Sequence, residues 1–253
     1  MKKEEIGHNF LARLGKKRLR PGGKLATDWL IAQGDFNKDK KVLEVACNMG
    51  TTAIQLAKHY GCEIIGIDLD ETALEKARKN ITAEKVEHLV KVMRGNATKL
   101  PFEDNSFDIV INEAMLTMLP ITAKQKAISE YFRVLKPNGI LLTHDVMLNT
   151  DEAEKTITEL REAINITVTP LTKQGWEELF QNCSFEQVDS FSGDMTLLSP
   201  KGLIYDEGIL GALKIIRNAL KRENFATFKK MFKIFNSPDK KLGFITVRSQ
   251  KLK

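Results

Sequence analysis

The sequence predicts an α/β protein built on a doubly wound, mostly parallel sheet. Three observations carry that expectation. Residues 41–57 read as a buried strand (Val42, Leu43, Val45), a tight turn of small or turn-tolerant residues (Ala46, Asn48, Gly50) and a helix striped by Ala53, Ile54, Leu56 and Ala57. A second branched run, Cys62 to Ile67, ends in an acid, Asp68, 18 residues beyond Gly50. Further apolar runs then alternate with helical stripes, the order of successive βαβ units.

The elements follow in chain order. Residues 1–20 predict a polar helix with a weak stripe of Ile6, Phe10, Leu11 and Leu14, broken by Pro21-Gly22-Gly23. A second helix covers about 24–34. After the strand–turn–helix at 41–57 and the strand at 62–68, Asp70 is the better helix cap and Asp68 the better ligand. An acid at that point can accept hydrogen bonds from both hydroxyls of a ribose. The third strand is Leu89 to Arg94 and the fourth runs to Asn112. A helix over about 122–135 leads through Leu135-Lys136-Pro137-Asn138-Gly139 to a fifth strand, Ile140 to Thr143. Thr172 caps a helix, Phe185 to Asp189 begins the sixth strand, and Leu242 to Val247 is the last. Between those two strands a helical insertion, 197–238, carries Phe225, Phe228, Phe232 and Phe235 at helical spacing, a stripe that reads as core more readily than as pocket. Its place beside the crevice also suits a substrate lid.

Groups just beyond strand ends line the crevice of an open α/β sheet. Glu113 and Thr117 therefore face a substrate, and Glu113 could attract a cation or take a proton, unless it only caps the next helix. His144 and Asp145, ending the fifth strand, are further catalytic candidates, with a hydrogen-bonded core histidine as the plainer reading of His144. No Ser or Cys stands in a nucleophile-type turn, so hydrolase chemistry has no support.

Composition is that of an ordinary globular protein of 253 residues. The net charge of +6 is unevenly placed: residues 1–24 carry eight Lys or Arg against two Glu, and 201–253 carry thirteen against four acids, so the body between is acidic. Basic ends could meet nucleic acid or an anionic surface, or could be solvated helix faces. Cys47, Cys62 and Cys183 form no metal-ligand pattern and read as buried thiols, the N-terminus has no signal-peptide core, and no apolar run is long enough to cross a membrane. A cytoplasmic location without a bound metal is the expectation.

Several stretches resemble class I S-adenosylmethionine-dependent methyltransferases. Glu44 to Gly50 is similar to their Asp/Glu-x-Gly-x-Gly-x-Gly loop, with Ala46 and Asn48 in place of two glycines. Gly95-Asn96-Ala97 with Leu100-Pro101-Phe102 and Asn105-Ser106-Phe107-Asp108 is similar to their Gly-Asp-Ala, Leu-Pro-Phe and Asn-Ser-Phe-Asp run. Leu135 to Gly139 looks like their Leu-Lys-Pro-Gly-Gly turn, and Pro21-Gly22-Gly23 like a segment that lies over the cofactor. The resemblance implies a Rossmann-like seven-stranded sheet with the last strand antiparallel. It implies one domain over 1–253: an N-terminal helical cap (1–34), a core (40–196 and 239–253) and the insertion or lid. It also implies methyl transfer to a small molecule. Cofactor residues would be Glu44, Ala46, Asn48, Gly50, Asp68, Asn96 and Ala97, with Leu69, Asn112, Gly22 and Gly23 beside them. Glu44 would reach the cofactor ammonium through water, and Asn96 the adenine amino group. A tRNA or rRNA methyltransferase and a non-catalytic cofactor-binding protein are the alternatives.

Overall fold

The computed structural model describes residues 5–150 and 153–252. Its centre is a sheet of seven strands in the order β3-β2-β1-β4-β5-β8-β7, with a two-residue strand, β6, added to the end of β5. The strands are β1 (Lys41–Val45), β2 (Glu63–Asp68), β3 (Val90–Arg94), β4 (Phe107–Glu113), β5 (Leu135–Leu148), β6 (Leu171–Thr172), β7 (Gln187–Asp194) and β8 (Leu242–Gln250). Only β8 runs antiparallel, pairing with β5 on one side and β7 on the other. The chain reverses direction across the sheet between β1 and β4, and the carboxyl ends of those strands form the crevice typical of doubly wound folds.

Helices α1 (Gly7–Leu14) and α2 (Gly23–Gln33) precede the sheet, and α3 (Thr51–Tyr60), α4 (Glu71–Ala83), α5 (Ile121–Val134), α6 (Ala153–Ile164) and α7 (Lys173–Asn182) connect its strands. The insertion forms α8 (Pro200–Ala219) and α9 (Arg222–Phe235). Local chemistry explains the ends. The Asp70 carboxylate accepts the Thr72 and Ala73 N–H groups to start α4, and Thr172 Oγ1 accepts the Gly175 N–H to start α7. Asp108, opening β4, accepts the Lys41 N–H and pairs with Lys136, a structural role.

Four expectations are corrected. The N-terminal helix stops at Leu14 rather than 20, because Gly15 takes φ +110 and returns its N–H to the Ala12 and Leu11 carbonyls. The segment after it instead buries Lys16 against Asp206 and Glu207. The fifth strand begins at Leu135 and continues to Leu148: Asn138 at φ +65 and a register shift between Phe107 and Ile109 absorb the expected turn as an irregularity in the ladder. The strand expected to begin at Phe185 is β7 and starts at Gln187, while the Phe185 ring is buried in the core. The insertion's aromatic stripe is split: Phe235 is buried, but Phe225 and Phe232 are exposed.

Two apolar layers flank the sheet. One joins Leu43, Val45 and Val110 to Tyr131 of α5 and Trp176 and Phe180 of α7. The other joins Val42, Ile64 and Ile109 to Leu30 of α2 and Leu56 of α3. A third cluster, Phe10, Leu11 and Leu14 with Leu203, Ile215 and Met231, packs α1 against the insertion. Burial of this kind stabilises by roughly 25 cal/mol per Å² of apolar surface, and here it also holds α1 over the crevice.

Candidate functional site

Two cavities meet above the carboxyl ends of the central strands. The larger is a polar cleft walled by Glu44, the Ala46–Met49 loop, Asp68 and Asp70, with Lys17, Leu19 and Arg20 arriving from the N-terminal segment. The second is apolar, with about 620 Å³ of non-protein space that includes the solvent at its mouth. Leu11, Leu160, Val168, Met231 and Phe235 line it, with Asp145 and Thr117 in its wall. His8, Leu19, Ala114 and Met118 line both cavities.

The loop after β1 has an unusual backbone. Ala46 (φ +58), Asn48 (φ +48) and Gly50 (φ +74) all lie in the left-handed region. Alternate residues therefore turn the chain sharply into α3, with the Gly50 N–H donating to the Cys47 carbonyl at 2.8 Å. For Ala46 that conformation costs roughly 1–2 kcal/mol, since its Cβ crowds the following carbonyl. The Asp68 carboxylate secures the loop: Oδ2 accepts the Asn48 N–H and Oδ1 the Asp70 N–H, both at 2.9 Å. Each oxygen keeps a lone pair, so the group can still accept from a ligand in the cleft.

Glu44 lies buried beneath this loop. One oxygen accepts the Ala53 N–H at 3.0 Å. Burial, with Glu113 adding to it against the pull of Arg20, pushes its carboxyl up to about 8. A cationic group entering the cleft would offset that burial. This is the feature that fits the site to a ligand with an ammonium group, and Asp68 fits it to one with a ribose.

Glu113 is held differently. Its carboxylate accepts the Thr27 hydroxyl at 2.7 Å and the Thr52 hydroxyl at 3.0 Å, and it pairs with Arg20 at 3.1 Å. Burial alone would raise its pKa, but Arg20, His144 and Thr27 together hold it down to about 2. Arg20 also donates to Thr52 Oγ1. His144 Nε2 accepts the Gly22 N–H at 3.0 Å, which assigns the ring proton to Nδ1, 3.2 Å from Glu113. Both nitrogens of this buried histidine are thus occupied. Asp145 is fully buried, and burial raises its pKa against the opposing Thr117 and Val146 contacts. Its oxygens accept the Thr117 and Val146 N–H groups at 3.1 and 2.8 Å.

The remaining candidates lie elsewhere. Gly22 packs where a Cβ would meet the Phe244 ring at 2.6 Å, and Gly23 where it would meet Asp206 Oδ1 at 2.3 Å; neither lines the cleft. Asn96 is exposed, with Oδ1 accepting from both the N–H and hydroxyl of Thr98, and Ala97 is buried. Leu69 is exposed outside the cleft lining. Asn112 is fully buried, with Nδ2 donating to Thr143 Oγ1 at 2.9 Å and Oδ1 without a partner. Arg20 and His8 are cleft residues absent from the expected site, since Arg20 is one of five cations between residues 13 and 20 that spacing does not tell apart, and His8 is a lone histidine on a polar helix. Burial lowers the His8 pKa against the pull of Asp68 and Asp70.

Comparison with known proteins adds an independent line. A family model described as "Methyltransferase domain" matches residues 42–139. An uncharacterized protein of Haemophilus influenzae is 69% identical over 251 residues, covering 99% of this chain and 100% of that protein. A demethylmenaquinone methyltransferase of Lactiplantibacillus plantarum is 36% identical over 152 residues, covering 59% of this chain and 56% of that enzyme. The crystal structure of the MccD protein superposes with a TM-score of 0.75 over 93% of this chain and 100% of its own, at 24% identity, a likeness of fold alone.

Proposed function

The chain belongs to the class I S-adenosylmethionine-dependent methyltransferases, and from that premise we propose that it methylates a small molecule whose bulk is apolar and whose nucleophile carries a proton. The observation that carries this reading is the junction of a polar cleft with an apolar cavity that has a buried carboxyl, Asp145, in its wall. The cofactor, when bound, supplies a methyl group on a sulfonium, displaced in line by a nucleophile.

This chain's residues then divide the work. Asp68 would hold the ribose hydroxyls, and the Ala46–Gly50 loop would hold the methionine half. Glu44 would answer the ammonium, and Arg20 the carboxylate. Leu19, Ala114 and Met118, common to both cavities, would exclude water where the two ligands meet. Asp145 and His8 are the groups in the acceptor cavity able to take the proton that the nucleophile releases. Glu113 and His144 would act by positioning Arg20 and the Gly22 segment, because their polar atoms are committed to protein partners. An apolar acceptor agrees with the name of the demethylmenaquinone methyltransferase relative, whereas a nucleic acid would find no lysine or arginine in the lining of the apolar cavity.

The test uses methyl-labelled S-adenosylmethionine and cell extract split into solvent-extractable and aqueous fractions. Label transferred to a solvent-extractable metabolite, and lost in Asp68→Ala, is the expected result. Label found only in aqueous metabolites or RNA overturns the acceptor class. Absence of cofactor binding by calorimetry overturns the cofactor assignments.

A further inference from the structure

Helix α8 is interrupted at Gly208 (φ +72, ψ 168), where an added Cβ would meet nothing within 4 Å. The break starts a second helical segment whose outer face is apolar. Ile209, Leu210, Leu213, Ile216 and Leu220 recur at the spacing of one helix face, and all are exposed, Leu210 by 83%. The neighbouring α9 adds exposed Phe225 and Phe232, two turns apart. Scattered exposed apolar residues need no explanation, but a continuous ridge of this kind marks an interaction surface.

Its charge says what kind. Residues 200–235 hold eight lysines and arginines against three acids. Two of those acids, Asp206 and Glu207, are buried against Lys16 and contribute no negative surface. Lys214, Arg217, Lys221, Arg222, Lys229 and Lys233 are all exposed around the ridge. A second copy of this chain laid face to face on the ridge would oppose like charges. An anionic bilayer would attract them while accepting the leucines and phenylalanines between them. Among the described residues no helix is long and apolar enough to cross a membrane, so the contact is with the surface.

We propose that α8 and α9 form an interfacial docking face for anionic phospholipid membranes. The face is not remote from the site. Met231 and Phe235 on the inner side of α9 line the apolar cavity, while Phe232 and Lys233 are exposed on its outer side. Docking therefore sets the cavity's own wall against the bilayer. The proposal stands on the surface alone and holds whatever the methyl acceptor is.

Sedimentation of the full chain with vesicles tests it, comparing phosphatidylcholine alone with equal parts phosphatidylcholine and phosphatidylglycerol. Binding to the mixed vesicles, weakened by salt and absent from phosphatidylcholine, is expected. Lys229→Glu with Lys233→Glu should weaken it about tenfold or more, and Leu210→Glu with Leu213→Glu should do the same. Unchanged cofactor affinity and melting temperature show that each variant is folded. The charge-reversal pair lies on exposed positions and keeps the test alive if the leucine pair does not fold. No vesicle binding, or binding indifferent to lipid charge, overturns the proposal. So does light scattering that shows a dimer dissociated by the leucine substitutions, since a second copy would then cover the ridge.

Discussion

At the scale of single residues, two of the buried carboxylates lining the cleft, Glu44 and Glu113, differ in ionisation because their partners differ. Glu44 has one N–H and no directly paired cation, and burial pushes it up to about 8; Glu113, equally buried, has Arg20 and falls to about 2. Cofactor binding should therefore be linked to a proton. Below pH 8 the free protein carries protonated Glu44, and pairing with an ammonium requires the anion, so affinity should rise with pH from 6 toward 8, by up to about tenfold per pH unit. Calorimetry in buffers of different ionisation enthalpy should detect the released proton, and Glu44→Gln should remove that component. Proton release unchanged in Glu44→Gln would assign it to another group. Ala46 yields a second prediction. Replacing it with Gly removes left-handed strain of roughly 1–2 kcal/mol and adds roughly 0.5–1 kcal/mol of unfolded-state entropy. The net should stabilise by about 0.5 kcal/mol, raising the melting temperature by about 1–2 °C. A lower melting temperature would show that the methyl packs usefully in the loop.

At the scale of elements, the N-terminal segment is joined to the sheet through one buried polar cluster. Arg20 reaches Glu113 at the end of β4, Glu113 reaches Thr52 at the start of α3 and Thr27 on α2, and His144 on β5 reaches back to Gly22. This contact places Arg20, Leu19 and Lys17 over the cleft. The lowered pKa of Glu113 makes the cluster a source of stability that is fully present above pH 4.5 and lost as pH falls toward 2. Glu113→Gln leaves Arg20 without its counter-ion. It should cost about 3 kcal/mol, flatten the acid limb of the stability curve, and speed proteolysis of the segment before α2. A variant as stable as the parent at pH 7, with the same acid limb, would show that Arg20 finds solvent at no loss.

At the scale of the whole molecule, what could be read from the sequence divides along physical lines. The sheet was legible because buried strands must be apolar and branched, and because Asp70 and Thr172 cap by local chemistry that spacing reveals. The β1–α3 loop and Asp68 were legible for the same reason, their constraint being local. The Arg20–Glu113–His144 cluster joins residues 93 and 31 positions apart, and no local pattern announces it. The placement of Asn96, Ala97 and Leu69 outside the lining likewise follows from how the loops curl rather than from their identities.

The same separation governs how α1 is fastened to the insertion. Lys16 Nζ lies 3.0 Å from Asp206 and 3.6 Å from Glu207, with its side chain fully buried, and the two acids also accept the backbone N–H groups of Lys24, Lys17 and Arg18. These two acids are thus held by backbone N–H groups as well as by Lys16, and they stay buried if its charge is removed. Lys16→Met retains the apolar stem and deletes only the charge. It should cost about 3–5 kcal/mol and lower the melting temperature by about 6 °C or more, whereas Lys17→Met, at an exposed side chain, should stay within about 0.5 kcal/mol. Because Leu11 on α1 lines the apolar cavity, Asn9 and Ala12 the polar cleft and His8 both, loosening α1 should also raise the KM for acceptor and for cofactor alike. A Lys16→Met protein as stable as Lys17→Met, with both KM values unchanged, would show that α1 is held by its apolar face with Phe10 and Leu14 rather than by this ion pair.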